Sequence, residues 1–241
     1  MKPIWIIAKR ELKSFFDSLI AYILLVVFLG ISGFFTWLYG SDIFLIGQAT
    51  LMPFFSIAYW TLFFFIPALT MRMIAEEKKS GTIELLLTKS VNDWQVVLGK
   101  FLACLILIAI ALLLTLPYYI SVMSIGPVDH GAVWAGYLGT LLISMTYISI
   151  GLFASSITNN QVVAFLLALF IGVFFLIIFD VLSNSFTGWF ANLCSYLSLS
   201  THYESVSRGV IDTKDLLYFF SITVFGLVLA EISLSKRNIV E

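Results

Sequence analysis

Two histidines, His130 and His202, and two cysteines, Cys104 and Cys194, are the side chains with the most obvious access to metal or nucleophile chemistry, and their spacing supports neither. Structural and catalytic metals need three or four ligands drawn from clustered His, Cys or carboxylate positions. Here Cys104 lies in an apolar run, Cys194 stands far from it, and both histidines are isolated in sequence. No Gly-rich loop followed by Lys and Ser or Thr is present, so the chain has no P-loop of its own with which to cradle phosphates. No catalytic, cofactor-binding or metal-binding residue is assigned. The chemistry left to the sequence is that of recognition, and it concentrates in a charged segment from Arg72 to Lys100 and in the first 17 residues.

The elements that carry these segments follow from composition. Hydrophobic residues make up 61% of the 241 residues and charged residues 11%, against roughly 45–50% and about 25% in soluble domains. A globule of this size has too little interior to hide that much apolar surface, so the solvent is lipid. The net charge of −1 points to no nucleic-acid partner. A crossing needs about 20 mostly apolar residues. Uncharged stretches of that length run from Ser18 to Ser41, Ile43 to Met71 and Phe101 to Val128. The uncharged stretch from His130 to Phe179 is long enough for two crossings, near 133–154 and 162–180, divided at the polar break from Ser155 to Gln161. Leu216 to Ser235 supplies a sixth, with Glu231 near its end. Asp180 and Glu231 read as carboxylates reaching toward headgroups, which argues against an ion-coupled carrier. The fold expected is an all-α membrane protein of six transmembrane helices: residues 18–235 form the membrane domain and 236–241 a cytoplasmic tail.

Orientation follows from the bias of Lys and Arg toward cytoplasmic loops. With the amino terminus inside, eleven of the thirteen basic residues are cytoplasmic and only Arg208 and Lys214 lie outside. Both termini are then cytoplasmic. Residues 181–215 mix Trp189, Phe190, Tyr196 and Tyr203 with Ser, Asn and Gly, a composition suited to the headgroup layer, and are expected to form interfacial or re-entrant helices. A seventh crossing there is the competing reading.

Residues 1–17 read as an amphipathic interfacial helix. Ile4, Trp5, Ala8, Leu12, Phe15 and Phe16 share one side, Lys9, Arg10, Lys13 and Asp17 the other. Ile6 falls on the polar arc and Glu11 on the edge of the apolar one. The charges interrupt the stretch too early for a cleaved leader. In the loop 72–100, Gly81 supplies a backbone break, Thr82 is placed to cap a short helix with Glu84 in its first turn, and Ser90 with Asp93 matches a capping box opening the third span. The segment reads as a rigid protrusion able to receive force.

Glu76-Glu77-Lys78, Gly81-Thr82-Ile83-Glu84, Leu86-Leu87-Thr88 and the later Gly99-Lys100, set between the second and third of six spans, resemble the signature of ABC-2-type permeases, the membrane subunits of ATP-driven exporters. The likeness covers the whole topology and within the family runs toward the gliding-motility permease subunit, with the permease of nitrous-oxide reductase maturation nearby. Ser90 stands where related sequences commonly have Pro.

The resemblance implies a type V exporter-like architecture in a bacterial inner membrane. It implies a coupling helix docked in a groove of a separate ABC ATPase, which would bind the ATP and Mg, and pairing with a second permease copy or a homologous half. An extracytoplasmic auxiliary subunit is a further expectation. The ATPase contact would be formed by Glu76, Glu77, Lys78, Gly81, Thr82, Glu84, Leu86 and Leu87, with Lys9 and Arg10 of the amphipathic lead-in. Export is the leading reading. Transmission of ATPase strokes to extracytoplasmic partners without transport is its rival, and a stand-alone channel or membrane enzyme the third.

Overall fold

The computed structural model describes residues 2–38, 48–82 and 92–236, whose regular structure is all helical, with no strand among them. Helix α1 (Lys2–Asp17) precedes α2 (Ile20–Trp37), α3 (Met52–Thr70), the single-turn α4 (Ala75–Lys79), α5 (Asp93–Leu113), α6 (Leu116–Ile125) and α7 (His130–Ile157). Helix α8 (Gln161–Val173) passes through a π turn at Phe174–Ile178 into α9 (Phe179–Ser185). Two short outer helices, α10 (Trp189–Leu197) and α11 (Leu199–Ser207), lead to α12 (Thr213–Ser235). Six helical stretches are long and apolar enough to cross a membrane: Ile20–Trp37, Met52–Lys79, Asp93–Ile125, His130–Ile157, Gln161–Ser185 and Thr213–Ser235. At about 1.5 Å per residue, α10 and α11 each reach only about 14 Å, less than half the hydrocarbon thickness of about 30 Å. The seventh crossing is therefore absent from this segment.

Helix α7 is the hub, packing against α3, α5, α8, α11 and α12. Lipid offers no hydrophobic drive for one helix to seek another, so close backbone approach and interhelical hydrogen bonds must hold the bundle. The sequence of α7 meets that need with small residues. A Cβ on Gly136 would collide with the Phe55 ring, and one on Gly151 would collide with Thr70 Oγ1, both on α3. On the opposite side Gly226 of α12 approaches Ser149 of α7 closely enough that a Cβ would sit 2.7 Å from its Oγ. Thr140, Ser144, Thr146 and Ser149, all buried on α7, donate within their own helix, as in Thr140 to Gly136 O at 2.8 Å and Ser144 to Thr140 O at 2.6 Å. That arrangement keeps polar groups compatible with an apolar interior.

Three sequence expectations shift. The division between the fourth and fifth spans lies later than Ser155: α7 runs to Ile157, Ser155 and Ser156 are fully buried within it, and Thr158–Asn160 make the break, with Asn160 Oδ1 accepting from Val162 N at 2.9 Å. The third span opens at Asn92 rather than Ser90. Asn92 forms the capping box with Gln95, whose Oε1 accepts from Asn92 N at 3.3 Å, and Asp93 is the first helical residue. Lys100 therefore lies inside a helix. The fifth span also continues past Asp180 to Ser185.

The contacts of α7 set a test. Gly151→Leu should destabilise the protein by roughly 1–3 kcal/mol through overpacking, read as a lowered thermal midpoint in detergent. Gly30→Leu on α2, where an added Cβ meets nothing within 4 Å, should leave that midpoint in place.

Candidate transmission site on the cytoplasmic face

On the face that carries the basic residues, α1 lies along the start of α5. The approach is tight because Gly99 has no side chain: a Cβ there would be 2.7 Å from Ile7 Cβ and 3.1 Å from Ile4 O. The side of α1 turned to the protein carries Ile7, Ala8 and Phe15, all buried, whereas Trp5 is 57% exposed and Ile6 66% exposed. The apolar arc read from the sequence is thus split between two neighbours, with α5 taking one edge and Trp5 pointing away.

At the centre of this contact Lys100, 1% exposed, donates to Glu11 Oε1 at 3.2 Å and approaches Glu77 Oε1 at 2.9 Å. Arg10 also donates to Glu77 Oε1, at 3.3 Å, and pairs with Glu11. Two cations and two carboxylates thereby join α1, α4 and α5 in a neutral set. An ammonium withdrawn from water costs several kcal/mol unless its partners are close, and here two carboxylates from two different helices supply them. Burial by itself would raise the Glu11 carboxyl; the Lys100 ammonium, with Arg10 beside it, outweighs burial and holds that carboxyl below its ordinary range.

Helix α4 is only five residues long, and a helix of that length cannot satisfy its own first-turn donors. The hydroxyl of Ser155, from the far end of α7, does so: its Oγ accepts from Ile74 N at 3.1 Å and Ala75 N at 3.0 Å and donates to Met71 O at 3.0 Å. Lys78 donates to Ser156 O, which also accepts from Ser233 Oγ of α12 at 2.9 Å. Gly81, at φ +68°, ends the turn in the left-handed region, where glycine carries no Cβ penalty. The elbow after the second span is therefore fastened to α1, α5 and α7.

Among the residues expected at a partner contact, Glu76, Gly81 and Thr82 are exposed, Glu77 and Lys78 turn inward, and Lys9 and Arg10 lie exposed on α1. Glu84, Leu86, Leu87 and Ser90 fall outside the described residues. A cleft of about 330 Å³ separates α1 from the elbow, lined among others by Glu11, Phe15, Arg72, Glu76 and Lys100. The Arg72 guanidinium stands 6.0 Å from the centre of the Phe15 ring. Sequence reasoning missed three members of this site. Glu11 left a trace, at the edge of an apolar arc, and Lys100 adjoined Gly99 in the motif. Ser155 was hidden inside what read as a loop.

Six apolar helices and a braced elbow on the face that carries the basic residues define a polytopic helical membrane protein. The chain belongs to the ABC-2 transporters: the family model described as ABC-2 family transporter protein matches residues 5–235. That range includes all six crossings and the elbow. A search of curated proteins finds no match to the chain.

Removing the shared cation should be costly. Lys100→Met leaves Arg10 alone to balance the Glu11 and Glu77 carboxylates, and breaking a buried pair costs roughly 3–5 kcal/mol; a large loss of thermal stability, partly recovered when Glu77→Gln is added, is the expected result. Because the folded-state Glu11 carboxyl is lowered, its stabilisation is complete above the ordinary glutamate range of about 4.3 and is lost as pH falls through the lower folded value. A midpoint-against-pH profile should show that acid step in the wild type and lose it in Glu11→Gln.

Proposed function

We propose that this ABC-2 permease subunit receives the stroke of a separate ABC ATPase on the elbow from Glu76 to Leu87 and passes it into the membrane through the Lys100 ion set. The observation that carries the reading is the bracing of α4: one short charged turn is tied to α1, α5 and α7 by hydrogen bonds and ion pairs. A surface mounted in that way does not yield locally under load, so force applied to it moves packed helices together. The exposed Glu76, Gly81 and Thr82, with Glu84, Leu86 and Leu87 beyond them, form the docking surface, and Lys9 and Arg10 extend it onto α1. Charges on that surface orient the partner, while the leucines supply apolar area.

The same reading makes the chain one half of an export channel in a bacterial inner membrane, completed by a second copy or a homologous half. The likeness of the Glu76–Thr88 segment to gliding-motility permeases supports assignment to a motility-linked exporter.

Co-purification tests the docking surface. Glu84→Lys should reduce recovery of the co-expressed ATPase at least about tenfold, the equivalent of about 1.4 kcal/mol, with the permease level in the membrane unchanged. Undiminished recovery would remove this surface from the interface.

A further inference from the structure

On the opposite face the outer helices hold a buried pair that the cytoplasmic machinery does not use. His202 of α11 places Nδ1 2.7 Å from Asp215 Oδ1 in the first turn of α12, and Nε2 3.1 Å from the Tyr196 carbonyl at the end of α10. Asp215 is 1% exposed, and its second oxygen has no hydrogen-bond partner among the described residues. The Tyr218 ring stacks on the imidazole with centroids 4.0 Å apart, and its hydroxyl donates to the neighbouring carbonyl of Leu197. His202 of α11 and Tyr218 of α12 thereby hold the two terminal carbonyls of α10, groups that a helix cannot satisfy by itself. One residue along, Tyr203 donates to Phe55 O of α3 at 3.0 Å and meets Thr140 of α7 at 3.2 Å.

The geometry also counts protons. A neutral imidazole carries one N–H, yet both of its nitrogens here face oxygens, a carboxylate on one side and a carbonyl on the other. Both contacts are hydrogen bonds only when the pair holds one proton more than a neutral ring and a free carboxylate, either on the ring or on Asp215. When that proton leaves, the remaining N–H stays with the buried carboxylate, and the Nε2 lone pair meets the lone pairs of Tyr196 O. The contact to α10 is the one that fails.

We propose that His202, Asp215 and Tyr218 form a proton-loaded clasp that fastens α10 and α11 to the sixth span and releases α10 when the extracytoplasmic side becomes alkaline. The surrounding elements contribute further ionisable groups. Lys214 on α12 is paired with Asp212 at 3.3 Å, and Glu204 with Arg208 on α11 at 3.5 Å. Asp180 stands on α9, Tyr137 and Tyr147 on α7, and Cys194 on α10. The imidazole itself is met by Asp215, the Tyr196 carbonyl and the Tyr218 ring.

Cys194, buried on α10 at 1% exposure, is a built-in reporter. Its modification by a membrane-impermeant thiosulfonate in proteoliposomes, divided by that of an exposed Asn184→Cys control to remove the intrinsic pH dependence of thiol reactivity, should rise roughly fivefold or more between about pH 6 and about pH 9. In His202→Phe the normalised rate should be high and flat with pH, and in Asp215→Asn, whose amide donates to Nδ1 as a protonated carboxyl would, it should be low and flat. A flat profile in the wild type overturns the clasp, and so does a wild-type pH step that survives in His202→Phe. If either variant fails to reach the membrane, the wild-type profile alone decides.

Discussion

A lysine withdrawn from water into the join of three helices is the constraint from which the cytoplasmic half of this protein follows. Lys100 is held by one carboxylate from the amphipathic α1 and one from the elbow, so the drift of either element from α5 costs the buried charge one of its two partners. Gly99, immediately before it, lets α1 come close enough for the bond to form. Ion placement and backbone contact thus depend on adjacent residues of one helix, and the interfacial helix becomes part of the bundle rather than a float on the bilayer surface.

The rest of the bundle answers a different demand. Six apolar helices in lipid have no reason to associate through hydrophobicity, and their cohesion is concentrated on α7, whose glycines and hydroxyl residues accept the side chains of α3 and α12. Its outer end meets Tyr203 of the outer helices, and its inner end supplies Ser155 and Ser156 to the elbow. One helix therefore connects the braced elbow on one face with the outer helices on the other.

The crossings were legible because they depend on totals: a long uncharged run cannot be hidden in water. The left-handed break at Gly81 was legible for an equally local reason. The site was readable only in part. Arg10 and Glu77 belong to charge-dense segments and drew attention as surface residues, but their mutual pairing depends on how α1 crosses α5, which no periodicity encodes. Ser155 looked like loop because Ser, Thr and Asn punctuate loops in most sequences; in a membrane helix the same hydroxyls turn back on their own carbonyls or reach a neighbouring helix end, and a polar cluster no longer marks an exit. His202 and Asp215 seemed isolated for a similar reason, since thirteen residues and a change of helix separate them.

The cap on α4 has one more consequence. Because the donors at its start are met by a hydroxyl from α7, the seating of α4 does not depend on the side chains it turns outward. Glu76, which is exposed, can be exchanged while the mount beneath it keeps its bonds. The architecture thereby separates how the elbow is held from what it presents.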